Sequence, residues 1–332
     1  MSSSKAGLFI AWRVFQRRTE SLAEKFNLRT EYYYYPWEEK SKLHKALSYV
    51  YKTIDTISDL FHIRPQLIFI QLPPTPVLYI VALYCRLNDC KFVADCHNAM
   101  IYSRWLAWPS AKLLLRRADI LLVHNEDVEH YARRLKLDAI TLRDPLPDLS
   151  NSGSLDILEQ YDLKHGNYVI VPWSFSADEP IRELVQAAKL LPHTKFVMTW
   201  FAEKMPDDIR NNLPDNLLLT GYLDEKVFNT VFSHAGSALV LTTREGTQPS
   251  GASEAIVLGI PLIISDMETT RKLYGDMPVY VKNDTNGILG GIKTAFDEHD
   301  KRTSEIMRFG EKYGVCLEKE IEDVKALLGL EH

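Results

Sequence analysis

The residues best suited to chemistry lie in one stretch, Leu241-Thr242-Thr243-Arg244-Glu245-Gly246-Thr247-Gln248-Pro249-Ser250-Gly251-Ala252-Ser253-Glu254-Ala255. Two carboxylates, Glu245 and Glu254, bracket a loop that holds Gly246, Thr247, Gln248, Pro249, Ser250 and Gly251. The pattern reads as a strand end, a loop and a helix. Ser250 is the expected N-cap, and Gly259 closes the helix after Leu258, with Pro261 preventing continuation. Free N–H groups at such a helix start favour an anion, and glycines let the backbone approach it. A diphosphate is a natural occupant. Glu254, about one turn into the helix, is placed to accept hydrogen bonds from ribose hydroxyls, and Glu245 in the loop to touch a sugar. A plainer reading stands beside this one: Glu254 complements the helix dipole and Glu245 is a solvated loop residue.

A second candidate is His97, which follows the apolar strand Phe92-Val93-Ala94. His124-Asn125 ends a similar strand, Ile120 to Val123, and is read as structural. No acidic pair of the DxD kind, no CxxC and no histidine pair at zinc-ligand spacing is present. The expectation is a site without metal or cofactor.

Alternating strands and helices must position these residues. Leu8 to Ala11, Thr30 to Tyr35, Leu67 to Gln71, Lys91 to Ala94, Ile120 to His124 and Ala139 to Leu142 read as strands separated by helical stretches. One of those stretches is long: Leu43, Leu47, Val50, Ile54, Ile57 and Phe61 recur at steps of four and three, forming one apolar face. The polar segment from Leu146 to Ser154 reads as a linker, after which the alternation restarts. With 332 residues, two domains are expected. We place one domain at 1–147, a second at 154–300 and a helical region at 301–330. The fold class is α/β, with two Rossmann-like domains. Ligands of open α/β sheets sit beyond the carboxyl ends of the strands, which for two facing sheets places the site in a cleft between them.

The net charge of −5 is unevenly spread. Residues 1–147 carry 21 Lys+Arg and 15 Asp+Glu, so the first half is basic and the remainder acidic. Aromatic and basic residues interleave there: Trp12, Arg13, Phe15, Arg17, Arg18; Tyr32 to Tyr35 and Trp37; Tyr102, Arg104, Trp105, Trp108, Lys112, Arg116, Arg117. That mixture suits an anionic membrane surface or a lipid-pyrophosphate acceptor, and no nucleic-acid-binding motif accompanies it. The plain alternative is ordinary surface charge over core aromatics. The N-terminus lacks a signal peptide, and the longest apolar stretch, Leu67 to Cys85, is broken by three prolines. Four cysteines without a pairing pattern suit a reducing cytosol, so the expected location is cytoplasmic, peripheral on the membrane face.

The segment from Glu245 to Glu254, with Gly259-Ile260-Pro261 and the following apolar strand, resembles the donor-site signature of GT-B glycosyltransferases of family 4. Thr220-Gly221-Tyr222-Leu223 resembles that family's loop near the nucleotide base, and Ala235 to Leu241 its next strand. Gln71-Leu72-Pro73-Pro74, Asp95-Cys96-His97-Asn98 and Ser174-Phe175-Ser176-Ala177-Asp178-Glu179 resemble the eukaryotic β-mannosyltransferase that extends dolichol-linked chitobiose. The resemblance implies transfer of a sugar from a UDP- or GDP-sugar to a hydroxyl of a glycan, glycolipid or lipid-linked acceptor. It implies an acceptor-binding domain at 1–147, a nucleotide-sugar-binding domain at 154–300 with the 301–330 helical region packing back on the first, donor contacts from Gly221, Tyr222 and 245–251 with Glu254, and catalytic roles for His97 and Glu245. Family 4 favours retention, whereas the dolichol-pathway relative inverts.

This chain departs from the family in three places. Eight residues separate the two glutamates, one more than is usual. Arg13-Val14-Phe15-Gln16 replaces the glycine-rich loop after the first strand, and Pro172-Trp173-Ser174-Phe175-Ser176 replaces a diphosphate-gripping Arg/Lys pair. Arg13, Arg104, Arg182, Lys204 and the Ser174 hydroxyl are the remaining candidates for phosphate contact. Those departures keep a second class open, a catalytically silent GT-B-like subunit that scaffolds a partner enzyme. A third is another two-Rossmann enzyme such as a sugar-nucleotide epimerase.

Overall fold

The structure, a computed structural model, describes residues 7–173, 178–199, 205–246 and 248–330. It divides into two units, residues 1–145 with 315–332 and residues 146–314.

The first unit is a six-stranded parallel sheet: β1 (Gly7–Ala11), β2 (Leu28–Tyr32), β3 (Leu67–Leu72), β4 (Lys91–Cys96), β5 (Ile120–Val123) and β6 (Ala139–Thr141). Their order is β2-β1-β3-β4-β5-β6. The helices are α1 (Arg17–Lys25), α2 (Lys42–Ile63), α3 (Pro76–Leu87), α4 (Asn98–Tyr102), α5 (Ala111–Leu115) and α6 (Glu126–Arg134), with a 3-10 turn at Pro36–Glu39. The strands are nearly continuous apolar runs, as a parallel sheet covered on both faces requires. One cluster, around Ile10, Ile68, Ile70 and Val81, fills one side of the sheet. The other, around Phe9, Leu22 and Phe69, takes in Leu317, Ile321, Val324 and Leu328.

The second unit repeats the plan. Its helices and strands are α7 (Asp156–Gln160), β7 (Tyr168–Pro172), α8 (Ile181–Leu190), β8 (Lys195–Thr199), α9 (Asp207–Arg210), β9 (Leu217–Leu219), α10 (Glu225–Ser233), β10 (Ser237–Val240), α11 (Ser250–Leu258), β11 (Leu262–Ser265), α12 (Glu268–Tyr274), β12 (Val279–Val281), α13 (Thr285–Asp297) and α14 (His299–Leu328). The strand order is β12-β11-β10-β7-β8-β9. Residues 299–314 of α14 belong to this unit, and Ile306 packs in its core; the rest of the helix belongs to the first unit. In the first unit Glu320 accepts from the Arg143 backbone N–H at 2.9 Å and from its Nε at 2.8 Å, and Lys91 Nζ donates to the Leu328 carbonyl at 2.8 Å.

Three details depart from the sequence reading. β2 ends at Tyr32, earlier than Tyr35, because the chain turns into the 3-10 segment at Pro36. α12, β12 and α13 occupy a stretch the sequence left without elements; their apolar runs are only a few residues long or glycine-interrupted. Helix α2 carries the long apolar stripe, but the stripe points to solvent. Its packed side is Ser48, Lys52, Thr56 and Leu60. Polar partners hold it there: Trp12 Nε1 donates to Thr56 Oγ1 at 3.0 Å, and Lys52 Nζ pairs with Glu38 Oε2 at 2.7 Å.

Candidate functional site

In a doubly wound sheet, ligands bind at the carboxyl ends of the strands where the order reverses. In the first unit that point lies between β1 and β3, and in the second between β7 and β10. Polar residues gather at both points.

In the first unit, Gln16 follows β1, Gln71 is near the end of β3, and His97 follows β4. The amide nitrogens of Gln16 and Gln71 lie 3.0 and 3.2 Å from His97 Nε2, and Gln71 Nε2 also donates to Gln16 Oε1. With the amides so oriented, Nε2 serves as their acceptor. The His124 ring lies 4.3 Å from that of His97, centroid to centroid. Burial, then the neighbouring His124, lowers the His97 pKa to about 3 against the opposing pull of Asp95. His97 is thus a neutral hydrogen-bonding group at physiological pH.

Beneath it, Arg18 and Asp95 are 6% and 0% exposed. Arg18 Nη2 and Nε donate to Asp95 at 2.8 and 3.1 Å, and Nη1 donates to Asp144 at 2.7 Å. Asp144 lies 3.2 Å from His124 Nδ1. Burial raises both carboxyl pKa values, but the Arg18 cation and His124 outweigh it and hold them low. Two polar atoms of the cluster, Gln71 Oε1 and His124 Nε2, are buried with no hydrogen-bond partner among the described residues. Such atoms ordinarily meet a water or a ligand.

Asp95, His97 and His124 could supply three ligands to a divalent cation, since one atom from each lies within 4.8 Å of the others. Arg18 already occupies Asp95 with a buried positive charge, and a second cation beside it would be repelled. The cluster suits hydrogen bonding to a polar ligand better than metal coordination.

In the second unit, the loop from β10 to α11 is tied down on several sides. Thr242 N–H donates to Ser265 Oγ at 2.9 Å, its Oγ1 to Asp178 at 2.7 Å, and its carbonyl accepts from Asn283 at 2.8 Å. Glu245 Oε1 accepts from the Glu268 N–H at 3.0 Å, and Oε2 from the N–H and hydroxyl of Thr269 at 3.1 and 2.8 Å. Its carboxylate thus serves the free N–H groups at the start of α12. The Thr269 hydroxyl and N–H lower its pKa. Gly246 follows at φ +75°, and its N–H donates to Thr269 Oγ1 at 2.8 Å.

Helix α11 begins differently from the sequence reading. Pro249 is the N-cap and Ser250 the first helical residue, without a side-chain cap bond. Proline fixes the extended approach, so the serine enters the helix itself. Gly251 is required by packing: a Cβ there would lie 2.5 Å from Pro172 Cγ and 3.1 Å from Val240 Cγ2. The start of α11 therefore sits directly over β7 and β10, at the switch point. Glu254, a turn further on, is 5% exposed.

The other expected contacts are scattered. Gly221, at φ +71°, and the exposed Tyr222 follow β9. Gln248 is half-buried. Arg182 pairs on the surface with Asp208 at 2.7 Å, and Arg13 is exposed after β1. Ser174, Lys204 and Thr247 lie outside the described residues. Sequence reasoning grouped Arg18 with the basic residues of a surface, where the structure buries it, passed over Asp144 and read His124 as structural. The one available signal was a carboxylate, Asp95, inside the apolar strand KFVADC.

No protein-family model matches the chain, and no curated protein matches it. Solved structures do. The chain is similar to Anabaena HepE in complex with UDP (TM-score 0.67, 12% identity, 96% of this chain and 99% of that one). It is similar to sucrose-phosphate synthase from Thermosynechococcus elongatus (TM-score 0.70, 14% identity, 98% of each chain). It is also similar to UDP-GlcNAc 2-epimerase from Methanocaldococcus jannaschii (TM-score 0.57, 10% identity, 87% of this chain and 92% of that one). These likenesses, with the two parallel six-stranded sheets, define the fold as GT-B. No helix among the described residues is long and apolar enough to cross a membrane.

Proposed function

We propose that this chain is a glycosyltransferase that moves a hexose from a UDP- or GDP-sugar to a hydroxyl of a glycan, glycolipid or lipid-linked acceptor. The observation that carries this reading is Glu254: a carboxylate buried at the first turns of α11, whose start lies over the switch point of its sheet. A buried acceptor beside helix N–H donors matches a nucleoside diphosphate, ribose hydroxyls on the carboxylate and phosphates on the N–H groups of Ser250 and Gly251. Displacing the diphosphate develops negative charge, which fixed N–H dipoles stabilise without a metal. HepE, a GT-B neighbour, is known with UDP and with UDP-glucose bound, which supports the donor class.

In this reading Gly221 and Tyr222 line the nucleotide, and Gln248 and Pro249 shape the loop. The neutral His97, held by Gln16 and Gln71, hydrogen-bonds the sugar undergoing transfer. Arg13 or Arg182 supplies charge to the phosphates, the latter after leaving Asp208. We assign the chain to the cytoplasmic membrane surface, drawn there by the basic first half of the sequence and its exposed aromatic residues.

Two rival readings have observations behind them. The likeness to a 2-epimerase keeps epimerisation open. The engagement of Glu245 by α12 favours a silent subunit. Calorimetry with UDP, GDP and UDP-glucose tests the donor site. Glu254→Gln is expected to weaken the cognate nucleotide about ten- to a hundred-fold, since a hydrogen bond to a charged group is worth about 1.5–3 kcal/mol. Unchanged affinity would remove the donor site from α11. Nucleotide release that requires an acceptor separates a transferase from both rivals.

A further inference from the structure

Helix α2 presents to water the side that a helix of a soluble domain normally buries. Leu43, Leu47, Val50, Tyr51, Ile54, Ile57 and Phe61 are each 41–78% exposed, while Ser48, Lys52 and Thr56 are buried beneath them. The ridge from Leu43 to Phe61 is about 27 Å long. Beside it α3 exposes Leu83 and Leu87, and the Phe61 and Tyr84 rings, 5.9 Å apart, join the two helices. The seven ridge side chains alone offer on the order of 800 Å² of surface, more than the roughly 300–600 Å² of the largest patch on a typical monomer.

The exposed charges carried by the two helices themselves are cations. The exposed charged residues of α2 are Lys42 and Lys45, the latter paired with Glu38, and that of α3 is Arg86; the exposed Glu39 and Asp89 lie just outside the two helices. No Asp or Glu of either helix is exposed. The two acids of α2 are turned aside: Asp59 accepts from the Tyr33 hydroxyl at 2.6 Å and Asp55 from the Tyr35 hydroxyl. An apolar ridge whose own exposed charges are cations is complementary to anionic lipid, which supplies both an acyl phase and negative headgroups. A second copy of the chain would bring another basic rim to the same place.

We propose that α2 and α3 form the membrane-docking face, with α2 lying in the plane of an anionic bilayer and its ridge sunk into the headgroup–acyl boundary. This rests on the membrane association put forward above and gives it a surface distinct from the Tyr102 and Trp108 cluster. The test is flotation with vesicles of phosphatidylcholine alone or doped with phosphatidylserine. The wild type should float with the anionic vesicles, and Val50→Asp/Ile54→Asp should bind them about tenfold or more weakly. Both substituted residues are exposed, so melting temperature and UDP affinity should stay at wild-type values. Lys42→Gln/Arg86→Gln should weaken binding at low salt and make little difference at high salt. The docking face is wrong if the aspartate variant floats like wild type while Tyr102→Ser/Trp108→Ser does not; membrane association then survives without it. Both fail if the wild type does not float. A wild-type dimer in sedimentation that Ile54→Asp dissociates, with no vesicle binding, would instead give the face to a second copy.

Discussion

The two switch points of this molecule solve the same problem with different materials. In the first unit the polar cluster is made of side chains brought from far apart: Arg18 reaches Asp95 across 77 residues and Asp144 across 126. It is largely buried, one cation bridging two carboxylates under a neutral histidine. In the second unit the features are local: a loop, a helix start and two glutamates within ten positions, with Glu245 exposed and bonded to backbone N–H groups. A buried charge network needs every partner in place, because an uncompensated charge in a low dielectric is costly. A loop beside a helix start can shift at little cost. The first unit therefore holds a buried network that depends on every partner, and the second a loop tied by local hydrogen bonds.

The largest effect should come from breaking the buried network. Arg18→Leu leaves Asp95 fully buried beside Asp144 with no cation, and loss of one partner from a buried ion pair costs about 3–5 kcal/mol. Urea denaturation should show that loss, and Asp95→Asn added to Arg18→Leu should recover part of it. A loss below about 1 kcal/mol would mean that the network does not stabilise the fold.

The same contrast explains what could be read from the sequence. Alternating apolar runs gave the α/β class and most strands, because each parallel strand is a short, fully buried segment with its own signature. The loop and helix at the second switch point were legible because their residues are contiguous; the cap moved from Ser250 to Pro249, and Glu245 bonds the start of α12. The first was largely hidden. Nothing in Arg17-Arg18 marks Arg18 as buried, and its partners are set by strand order, which spacing does not encode. His124 looked like a lone structural histidine because its neighbour, His97, follows a different strand. The stripe on α2 was visible, but which way it faces depends on Trp12 and Glu38, contacts outside the helix.

An intermediate effect should appear with pH. The unfolded His97 imidazole takes up a proton near its ordinary pKa of about 6.5, whereas the folded ring resists until about 3. Between those values the unfolded state binds more protons, so stability falls as pH falls, by up to about 1.4 kcal/mol per pH unit from this residue. The contribution is fully present above pH 6.5. His97→Gln removes it, so its stability should decline less steeply than that of wild type between about pH 6 and 4, where Asp95 and Asp144 remain ionised in the folded protein. Parallel curves would show that His97 is not held neutral by the fold. At neutral pH the same variant should bind the nucleotide normally and turn over slowly.

The smallest effect should come from Glu245, the exposed member of the comparison. Its two oxygens both face α12, taking the Glu268 N–H on one side and the Thr269 N–H and hydroxyl on the other. Glu245→Gln keeps the size but turns an NH2 group toward one of these donors and removes a negative charge from a helix start. The first turn of α12 should loosen, seen as faster amide hydrogen exchange at Glu268 and Thr269. Nucleoside diphosphate affinity should stay unchanged, because Glu254 and the α11 donors are untouched. Glu245→Asp, too short to span both donors, should loosen the turn as well while keeping the charge. A direct contact with the sugar predicts a different pattern: slower transfer in Glu245→Gln with normal exchange at Glu268 and Thr269. That result would give the carboxylate to the substrate and take it from the helix.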